Sequence, residues 1–345
     1  MGFKRRKGAR GRFLGVHTRF APSPTGSLHI GGLRTALFCS YLARSTGGKM
    51  FLRIEDTDQK RLVPTAEAEI VDALEWCGID YEYQLKQSEN NHKYVSALQS
   101  LIRQGLAYKC YMSSDHLAIM RDGDVDDPHC PQYEKVAEYY WERNKHQYEN
   151  IAELVNSLQN GFKSGNRWFV EFGGNQGRAL CPVNRRGGVW RVMVGKEDIS
   201  WYEWGIRRFV SRSLASGGDT VIVKADGTPT YHLASIVDDE DLITRNVKGR
   251  GEFKLIVARG QEWMSSTPLH IWLQKKLYGE SQVRKKAFMH LPLMLSPTGG
   301  KLSKRSGLSG TFVSEYIGDH YPPQVLKSWL MSSMLPIDKS VIHSD

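Results

Sequence analysis

The chain has 345 residues, a length that accommodates two or three domains of ordinary size. Hydrophobic residues make up 40% and charged residues 24%, which excludes a wholly disordered chain and a fibrous one. With 47 basic and 37 acidic residues, the formal net charge of +10 favours a polyanionic partner. No apolar stretch approaches the ~20 residues that a membrane-spanning helix needs, so we expect no membrane partner.

The cysteines favour a reducing compartment. They number five and are widely spread, whereas a disulfide framework uses a dense and even set. Residues 1–16 form a basic N-terminal tail with six basic residues, no acidic residue and no long apolar core, which excludes a secretory signal. Two interpretations of this tail stay open. In the first, the tail is a presequence for the mitochondrion or another organelle. In the second, it is a disordered tail that touches RNA. If the protein is bacterial, the expected location is the cytoplasm.

Strand and helix patterns alternate along the first part of the chain. The sequence predicts a short strand from residue 17, a helix that Gly47 and Gly48 end, a buried strand MFLRI and helices over 64–78 and 91–107. Such alternation predicts a parallel sheet with crossover helices.

The pattern weakens between about 110 and 218, where short strand-like runs are separated by glycines. Regular structure is predicted again beyond this region. The predicted elements are a strand at TVIV before an Asp226-Gly227 turn, a surface loop over 242–254, a strand LIVARG, a helix STPLHIWLQKKLYG, a last strand HLPLML and a helical region over 311–335.

A turn that leads into a helix, PSPTGSLHIGG at residues 22–32, suits phosphate binding. Free backbone N–H groups and the dipole at a helix start favour an anion. His29 can donate a ring N–H to a phosphate oxygen, and Gly31 and Gly32 lack the Cβ that would keep a flat base away from the backbone. The plain alternative is an ordinary strand-to-helix turn with a surface histidine.

Two further segments carry charges suited to a substrate. The loop KLSKRSG at 301–307 holds Lys301 and Lys304, whose ammonium groups act as point charges on phosphates. The segment LRIEDTD at 52–58 ends a strand with carboxylates that could capture an ammonium group. A solvated basic loop and a polar strand end are the alternatives. Neither Walker spacing nor G-x-G-x-x-G is present, so the sequence does not favour a P-loop or a nicotinamide-dinucleotide site.

The ordered set of motifs is far more specific than any one of them. RFAPSPTGSLHIGGLRTAL (19–37), LRIEDTD (52–58), DGTPTYHLASIVDD (226–239), ARGQEW (258–263) and KLSKR (301–305) together resemble the glutamyl-tRNA synthetases of the bacterial and organellar type. HIGG stands where class I synthetases carry HIGH, and KLSKR stands where they carry KMSKS.

The resemblance implies an α/β fold, a class I synthetase nucleotide-binding (Rossmann-like) parallel sheet interrupted by an α+β insertion that holds the tRNA acceptor end. The expected regions are a basic tail at 1–16, the first half of the catalytic domain at 17–110, the insertion at 111–218, the second half at 219–296, and the lysine loop with the start of a helical stem-contact region at 297–345. The implied activity is ATP-dependent ligation of glutamate to tRNA through glutamyl-adenylate.

The resemblance also assigns site residues. His29, Lys301 and Lys304 would be catalytic and would stabilise the triphosphate, while Gly31 and Gly32 would form the floor of the adenine pocket and Glu262 would hold the ribose. Mg²⁺ is expected with ATP. The residues expected to bind L-glutamate are Arg19, Ala21, Ser23, Glu55, Tyr231, Ser235 and Arg259.

The chain departs from the family pattern in several places. Ser235 stands where many members have Asn, and Cys110, His129 and Cys130 supply at most three of the four ligands of a zinc site, so we do not expect zinc. The given sequence ends before the helical anticodon-binding region of the family. As for the oligomeric state, we expect a monomer. The alternatives are a truncated synthetase, a short relative that glutamylates queuosine in a tRNA anticodon, and a non-catalytic tRNA-binding derivative.

Overall fold

The structure, a computed structural model, describes residues 15–82, 84–110, 171–172, 188–246, 254–294 and 310–332. The described strands are β1 Val16–Phe20, β2 Met50–Ile54, β3 Gln84–Lys86, β4 Ala107–Cys110, β5 Glu171–Phe172, β6 Val189–Val192, β7 Asp198–Glu203, β8 Arg208–Ser213, β9 Thr220–Val223, β10 Lys254–Gly260 and β11 Lys286–Leu291. The described helices are α1 Ile30–Thr46, α2 Ala66–Trp76, α3 Asn91–Arg103, α4 Tyr231–Asn246, α5 Thr267–Tyr278, α6 Glu280–Val283, α7 Val313–Gly318 and α8 Pro323–Ser332.

Residue contacts divide the chain into two units. The first unit comprises residues 1–90, 198–212 and 235–345, and the second comprises 91–197 and 213–234. These limits differ from the expected limits of the insertion at 111 and 218. The difference at the first limit follows from pairing, because β4 forms an antiparallel pair with β6 and takes the preceding α3 into the second unit.

The first unit is built on a seven-stranded sheet in the order β3-β2-β1-β10-β11-β7-β8. All neighbours from β3 to β7 pair in parallel. The predicted α/β fold with a mostly parallel central sheet is therefore confirmed, and β1 lies between β2 and β10 at its centre.

One face of this sheet is apolar. Phe20, Leu52 and Ile54 from the strands share a buried cluster with Leu33 of α1 and Leu330 of α8. Full burial of such a side chain contributes about 1.5–3 kcal/mol to folding, so this face supplies a large part of the core energy.

Helix α1 ends where the sequence predicts. Gly47 adopts a left-handed conformation with φ 76°, and its backbone N–H donates to the carbonyl oxygens of Ala43 and Arg44. A residue with a Cβ would be strained at this φ, so glycine allows the chain to turn directly from α1 into β2.

The opposite face of the sheet is charged, although it is equally buried. Arg53 Nη1 lies 2.6 Å from Asp239 Oδ1 on α4, Arg19 Nε lies 3.4 Å from the same oxygen, and Lys286 Nζ lies 3.4 Å from Oδ2. Burial alone would raise the pKa of the Asp239 carboxyl, but Arg53, Lys286 and Arg19 hold that pKa well below its usual value. Burial also lowers the pKa of Lys286 to about 8. Asp239 therefore connects three strands to α4.

The second unit contains a four-stranded sheet in the order β5-β4-β6-β9, whose described pairs are antiparallel. Asp219 lies just before β9 and bonds to residues from other parts of the second unit. It accepts hydrogen bonds from Tyr108 Oη at 2.8 Å, from Arg191 Nη1 at 2.8 Å through its backbone oxygen, and from the Val194 backbone N–H at 3.1 Å. Strands β5 and β6 agree with the strand-like runs that the sequence shows between 110 and 218.

Three predicted elements need correction. The surface loop over 242–254 is wrong at its start, because α4 continues to Asn246 and buries Ile243 completely. The last strand is Lys286–Leu291 rather than HLPLML, since Pro292 lacks the N–H that the ladder requires. The helical region over 311–335 is two helices, Val313–Gly318 and Pro323–Ser332. Across the described residues, none of the helices combines the length and the apolar character that crossing a bilayer requires.

Asp239→Asn should lower the free energy of unfolding by about 3–5 kcal/mol, because it leaves three buried cations without their shared anion. Asp241→Asn is the matched control on the same helix, since its partner Arg245 is half exposed and the pair is worth about 0.3–0.5 kcal/mol. Urea unfolding at neutral pH measures both variants, and equal losses would contradict the role given to Asp239.

The buried Asp239 carboxylate also makes the stability of the fold depend on pH. A carboxyl whose pKa is lower in the folded state stabilises the fold above its unfolded pKa and loses that contribution as pH falls through the folded pKa. The stability difference between the wild type and Asp239→Asn should therefore shrink progressively as the pH falls below about 4. A difference that stays constant down to pH 2 in the same urea titrations would contradict this.

Candidate active site

The sequence-predicted residues of the first unit gather at one edge of its sheet. Glu55 follows β2 directly, Ala21 and Ser23 follow β1, and Arg259 occupies the penultimate position of β10. Because these three strands are parallel neighbours, their carboxyl ends share one edge, where open α/β sheets bind ligands. The backbone N–H of Glu55 donates to the Pro22 carbonyl at 2.9 Å and so holds the two loops together.

His29 caps the N-terminus of α1. Its Nδ1 accepts a hydrogen bond from the backbone N–H of Gly31 at 2.9 Å. A ring nitrogen that accepts carries no hydrogen, so the neutral ring bears its hydrogen on Nε2, which makes Nε2 a donor for a phosphate oxygen.

The two glycines after His29 stand where a Cβ would be crowded by neighbouring side chains. A Cβ on Gly31 would lie 2.9 Å from His29 Nδ1, and a Cβ on Gly32 would lie 2.8 Å from Leu28 Cδ1. Any larger residue at position 31 would therefore displace the imidazole or break its bond to the helix start.

Lys301 and Lys304 lie outside the described residues, but the chain on both sides of them contacts the start of α1. Before the loop, the Pro292 carbonyl accepts a hydrogen bond from Arg34 Nη2. After the loop, Ile30 N–H donates to the Thr311 carbonyl at 3.0 Å, and Val313 N–H donates to the Leu28 carbonyl at 2.9 Å. The described residues before and after 295–309 thus both contact the start of α1 or the turn that precedes it.

The expected glutamate-binding residues on the charged face are already engaged. Arg19 is buried, and beyond its bond to Asp239 its Nη1 donates to the Ala258 carbonyl at 3.5 Å. Glu55 Oε1 accepts from Arg53 Nη2 at 2.8 Å. The interior of this edge is therefore a connected network of charges. Arg53 links Glu55 to Asp239; it lies within the LRIEDTD motif, but the sequence analysis assigned a role only to the carboxylates of that motif.

Helix α4 carries the remaining two predicted residues. Ser235 is 1% exposed, and its Oγ has no hydrogen-bond partner among the described residues. A buried hydroxyl without a partner costs free energy, which a bound polar ligand would offset. Tyr231 groups with the second unit and contacts His232 edge to face, with ring centroids 6.0 Å apart.

Arg259 is held by three side chains. Its Nε donates to His290 Nε2 at 3.0 Å, its Nη1 lies 2.9 Å from His270 Nδ1, and its Nη2 donates to Thr267 Oγ1 at 2.8 Å. Glu262 lies beyond it, exposed in the first turn after β10. His270 and Thr267 are on the predicted helix α5, but nothing in the sequence indicated this arrangement.

The part of the chain that the structure describes holds no group of three His, Cys, Asp or Glu residues that could bind a metal ion. Cys110 is a buried free thiol, while His129 and Cys130 fall outside the described residues, so the zinc expectation stays a prediction.

Comparison with known proteins identifies what the chain resembles. The family model for tRNA synthetases class I (E and Q), catalytic domain, matches residues 15–156 and 205–340. A glutamate–tRNA ligase of Borrelia duttonii (strain Ly) is 33% identical over 330 residues, which cover 93% of this chain and 56% of the relative. One of Cytophaga hutchinsonii is 37% identical over 309 residues, covering 86% of this chain and 52% of the relative. The chain thus spans about half the length of these relatives.

Solved structures give the same result. A glutamate tRNA ligase from Elizabethkingia meningosepticum, crystallised with its amino acid, has a TM-score of 0.64 and 26% identity, and the match covers 96% of this chain and 64% of that one. The glutamate-tRNA synthetase of Elizabethkingia anophelis matches with a TM-score of 0.64 and 25% identity, over 96% and 66% of the two chains.

Gly31→Ala should remove the hydrogen bond that fixes the His29 ring, because its Cβ would overlap Nδ1. The free energy of unfolding should fall by about 1 kcal/mol, the usual cost of losing a helix N-cap hydrogen bond. ¹⁵N NMR of the His29 imidazole should show an unprotonated Nδ1 and a protonated Nε2 in the wild type, and a mixture of tautomers in the variant. Gly318→Ala is the control, since a Cβ there meets nothing within 4 Å. An unchanged His29 spectrum in Gly31→Ala would contradict the close approach.

Proposed function

Since the chain belongs to the family of class I tRNA synthetases for glutamate and glutamine, we propose that it ligates L-glutamate to tRNA in two steps that consume ATP. In the first step the glutamate α-carboxylate attacks the α-phosphorus of ATP, and pyrophosphate leaves. In the second step a ribose hydroxyl of the terminal adenosine of the tRNA attacks the activated carbonyl, and AMP leaves. Mg²⁺ enters as the complex with ATP.

The first step needs positioning and charge stabilisation and requires no protein nucleophile. His29 would donate its Nε2–H to a phosphate oxygen while its Nδ1 stays bonded to the helix start. Lys301 and Lys304 would neutralise the negative charge that builds up on the departing pyrophosphate. Gly31 and Gly32 would let the adenine lie against the backbone, and Glu262 would bind the ribose.

Glutamate carries one ammonium group and two carboxylates. Arg19 and Arg259 would bind the carboxylates, because a guanidinium can form two parallel hydrogen bonds with one. Glu55, with Ala21 and Ser23 nearby, would bind the ammonium group. Tyr231 and Ser235 would add hydroxyl contacts, and the unpartnered Oγ of Ser235 supports its part in this role.

The observation that carries the proposal is the return of the lysine-bearing segment to the start of α1. Thr311 and Val313 on one side and Pro292 on the other are hydrogen-bonded to residues of that turn and helix. The described residues on either side of 295–309 therefore lie near the start of α1, which supports a role for Lys301 and Lys304 beside His29.

Three finer points belong to the same proposal. Residues 111–218 would contact the tRNA acceptor end, residues 219–296 would complete the catalytic domain begun at 17–110, and residues 297–345 would lead into a helical stem-contact region. The enzyme would act as a monomer. The basic segment 1–16 would direct it to a mitochondrion or another organelle, which a fluorescent fusion of that segment would test.

Lys304→Ala should reduce pyrophosphate exchange by about 10²–10³-fold, the usual cost of removing one donor to a developing charge. Glutamate binding should change by less than about threefold, because the ammonium group of Lys304 would contact only the phosphates of ATP. The assay contains ATP, glutamate and tRNA for glutamate, and Lys49→Ala is the control because its ion pair with Glu82 is half exposed. Equal loss of exchange and of glutamate binding would contradict the assigned role.

The same assay separates the alternatives through the wild type. Exchange that requires tRNA supports the synthetase, whereas exchange without any tRNA would favour the relative that glutamylates queuosine. Retained tRNA binding with no exchange would favour a non-catalytic derivative.

A further inference from the structure

Two buried residues outside every sequence motif contact the site through Arg259. Glu203 ends β7 and is 0% exposed, and His290 on β11 is 4% exposed. They belong to strands that pair in parallel, with Glu203 registered against Phe288, two residues before His290.

The Glu203 carboxylate accepts four hydrogen bonds. Oε1 accepts the backbone N–H groups of His290 at 2.8 Å and Gly205 at 3.1 Å, and Oε2 accepts Trp201 Nε1–H at 3.0 Å. The fourth contact joins Oε2 to His290 Nδ1 at 2.7 Å. Burial alone would raise the pKa of Glu203, but the hydrogen bonds from His290 and Trp201 lower it, so the group is a carboxylate at neutral pH.

An ionised carboxylate can only accept, and this fixes the tautomer of His290. Nδ1 must carry the ring hydrogen that it donates to Glu203. Burial lowers the pKa of His290, so the ring is neutral at neutral pH and its Nε2 has no hydrogen. Nε2 can then accept the Arg259 Nε–H at 3.0 Å, and Thr267 Oγ1 lies 3.3 Å from the same nitrogen. The direction of each hydrogen bond in the series follows from the charge on Glu203.

The series determines how Arg259 is oriented. His290 holds the Nε edge of the guanidinium, Thr267 and His270 contact its two Nη atoms, and the Phe288 ring lies beneath it with its centroid 5.2 Å from Cζ. An arginine has many rotamers when unrestrained, and a fixed plane removes that entropy cost from carboxylate binding.

We propose that Glu203 and His290 are positioning residues that hold the guanidinium of Arg259 in the plane in which it binds a carboxylate of glutamate. The proposal rests on the function proposed above and extends it to two residues that never touch the substrate. Glu203 lies in the β7–β8 hairpin, so a part of the chain where no motif was found supports amino-acid recognition.

Glu203→Gln tests the proposal with almost no change of shape. One side of the amide must be NH₂. With the amide oxygen kept on the two backbone N–H groups, the NH₂ faces His290 Nδ1 and also the Trp201 Nε1–H, which loses its acceptor. The ring hydrogen would then move to Nε2 and point at the Arg259 Nε–H. We expect the KM for glutamate to rise about tenfold or more, with kcat and the KM for ATP changed by less than about threefold. Glu203→Asp, which keeps the charge, should restore the KM for glutamate in part.

Asp198→Asn is the matched control, since Asp198 is an exposed carboxylate on the same strand. Its kinetic constants should equal those of the wild type. If the wild type catalyses exchange and Glu203→Gln leaves the KM for glutamate unchanged, the positioning role is overturned while the proposed function stands. An equal rise of both KM values with a lowered Tm would also overturn it, because it would indicate general destabilisation. A wild type without exchange would overturn the proposed function itself.

A second measurement keeps the proposal falsifiable if Glu203→Gln does not fold. ¹⁵N NMR of the wild-type protein should show His290 with a hydrogen on Nδ1 and none on Nε2 at neutral pH. A hydrogen on Nε2 would exclude acceptance of the Arg259 Nε–H and would overturn the positioning role.

Discussion

The burial of three cations around one carboxylate is the constraint on which the first unit depends. Arg19, Arg53 and Lys286 come from three strands and share Asp239 on α4. Charges are costly to remove from water, so these residues are stable inside only as a set. Because the set joins β1, β2 and β11 to one helix, it also fixes where the carboxyl ends of the strands stand relative to α4.

The two faces of the central sheet have different tasks. The apolar face packs against α1 and α8 and supplies the core, whereas the charged face continues into the site edge. Arg53 bonds both Asp239 and Glu55, and Arg259 belongs to a second buried series that ends at Glu203. A charged amino acid bound at this edge, as proposed, would meet groups already ordered by the fold, so little reorganisation would be needed on binding.

The sequence predicted what depends on local patterns. Helix α1, its end at Gly47 and the strand at β10 follow from apolar spacing and glycine chemistry, and the resemblance identified the family. Other features depend on residues far apart in the chain and were missed. Glu203 and His290 are 87 positions apart, and no local signal marks either of them. The end of α4 was misread as a loop because Leu242 and Ile243, which α4 buries, stand among charged residues.

We propose that the HIGG-like turn and the segment with Lys301 and Lys304 act on one nucleotide. A crystal structure of the chain with glutamate, Mg²⁺ and an ATP analogue that cannot be cleaved between the α- and β-phosphates tests it most directly. We expect His29 Nε2 and the Nζ atoms of Lys301 and Lys304 all to lie within hydrogen-bonding distance, about 3.2 Å, of oxygens of the same triphosphate. Lysines directed to a different cavity from His29, with the nucleotide fully bound, would contradict it.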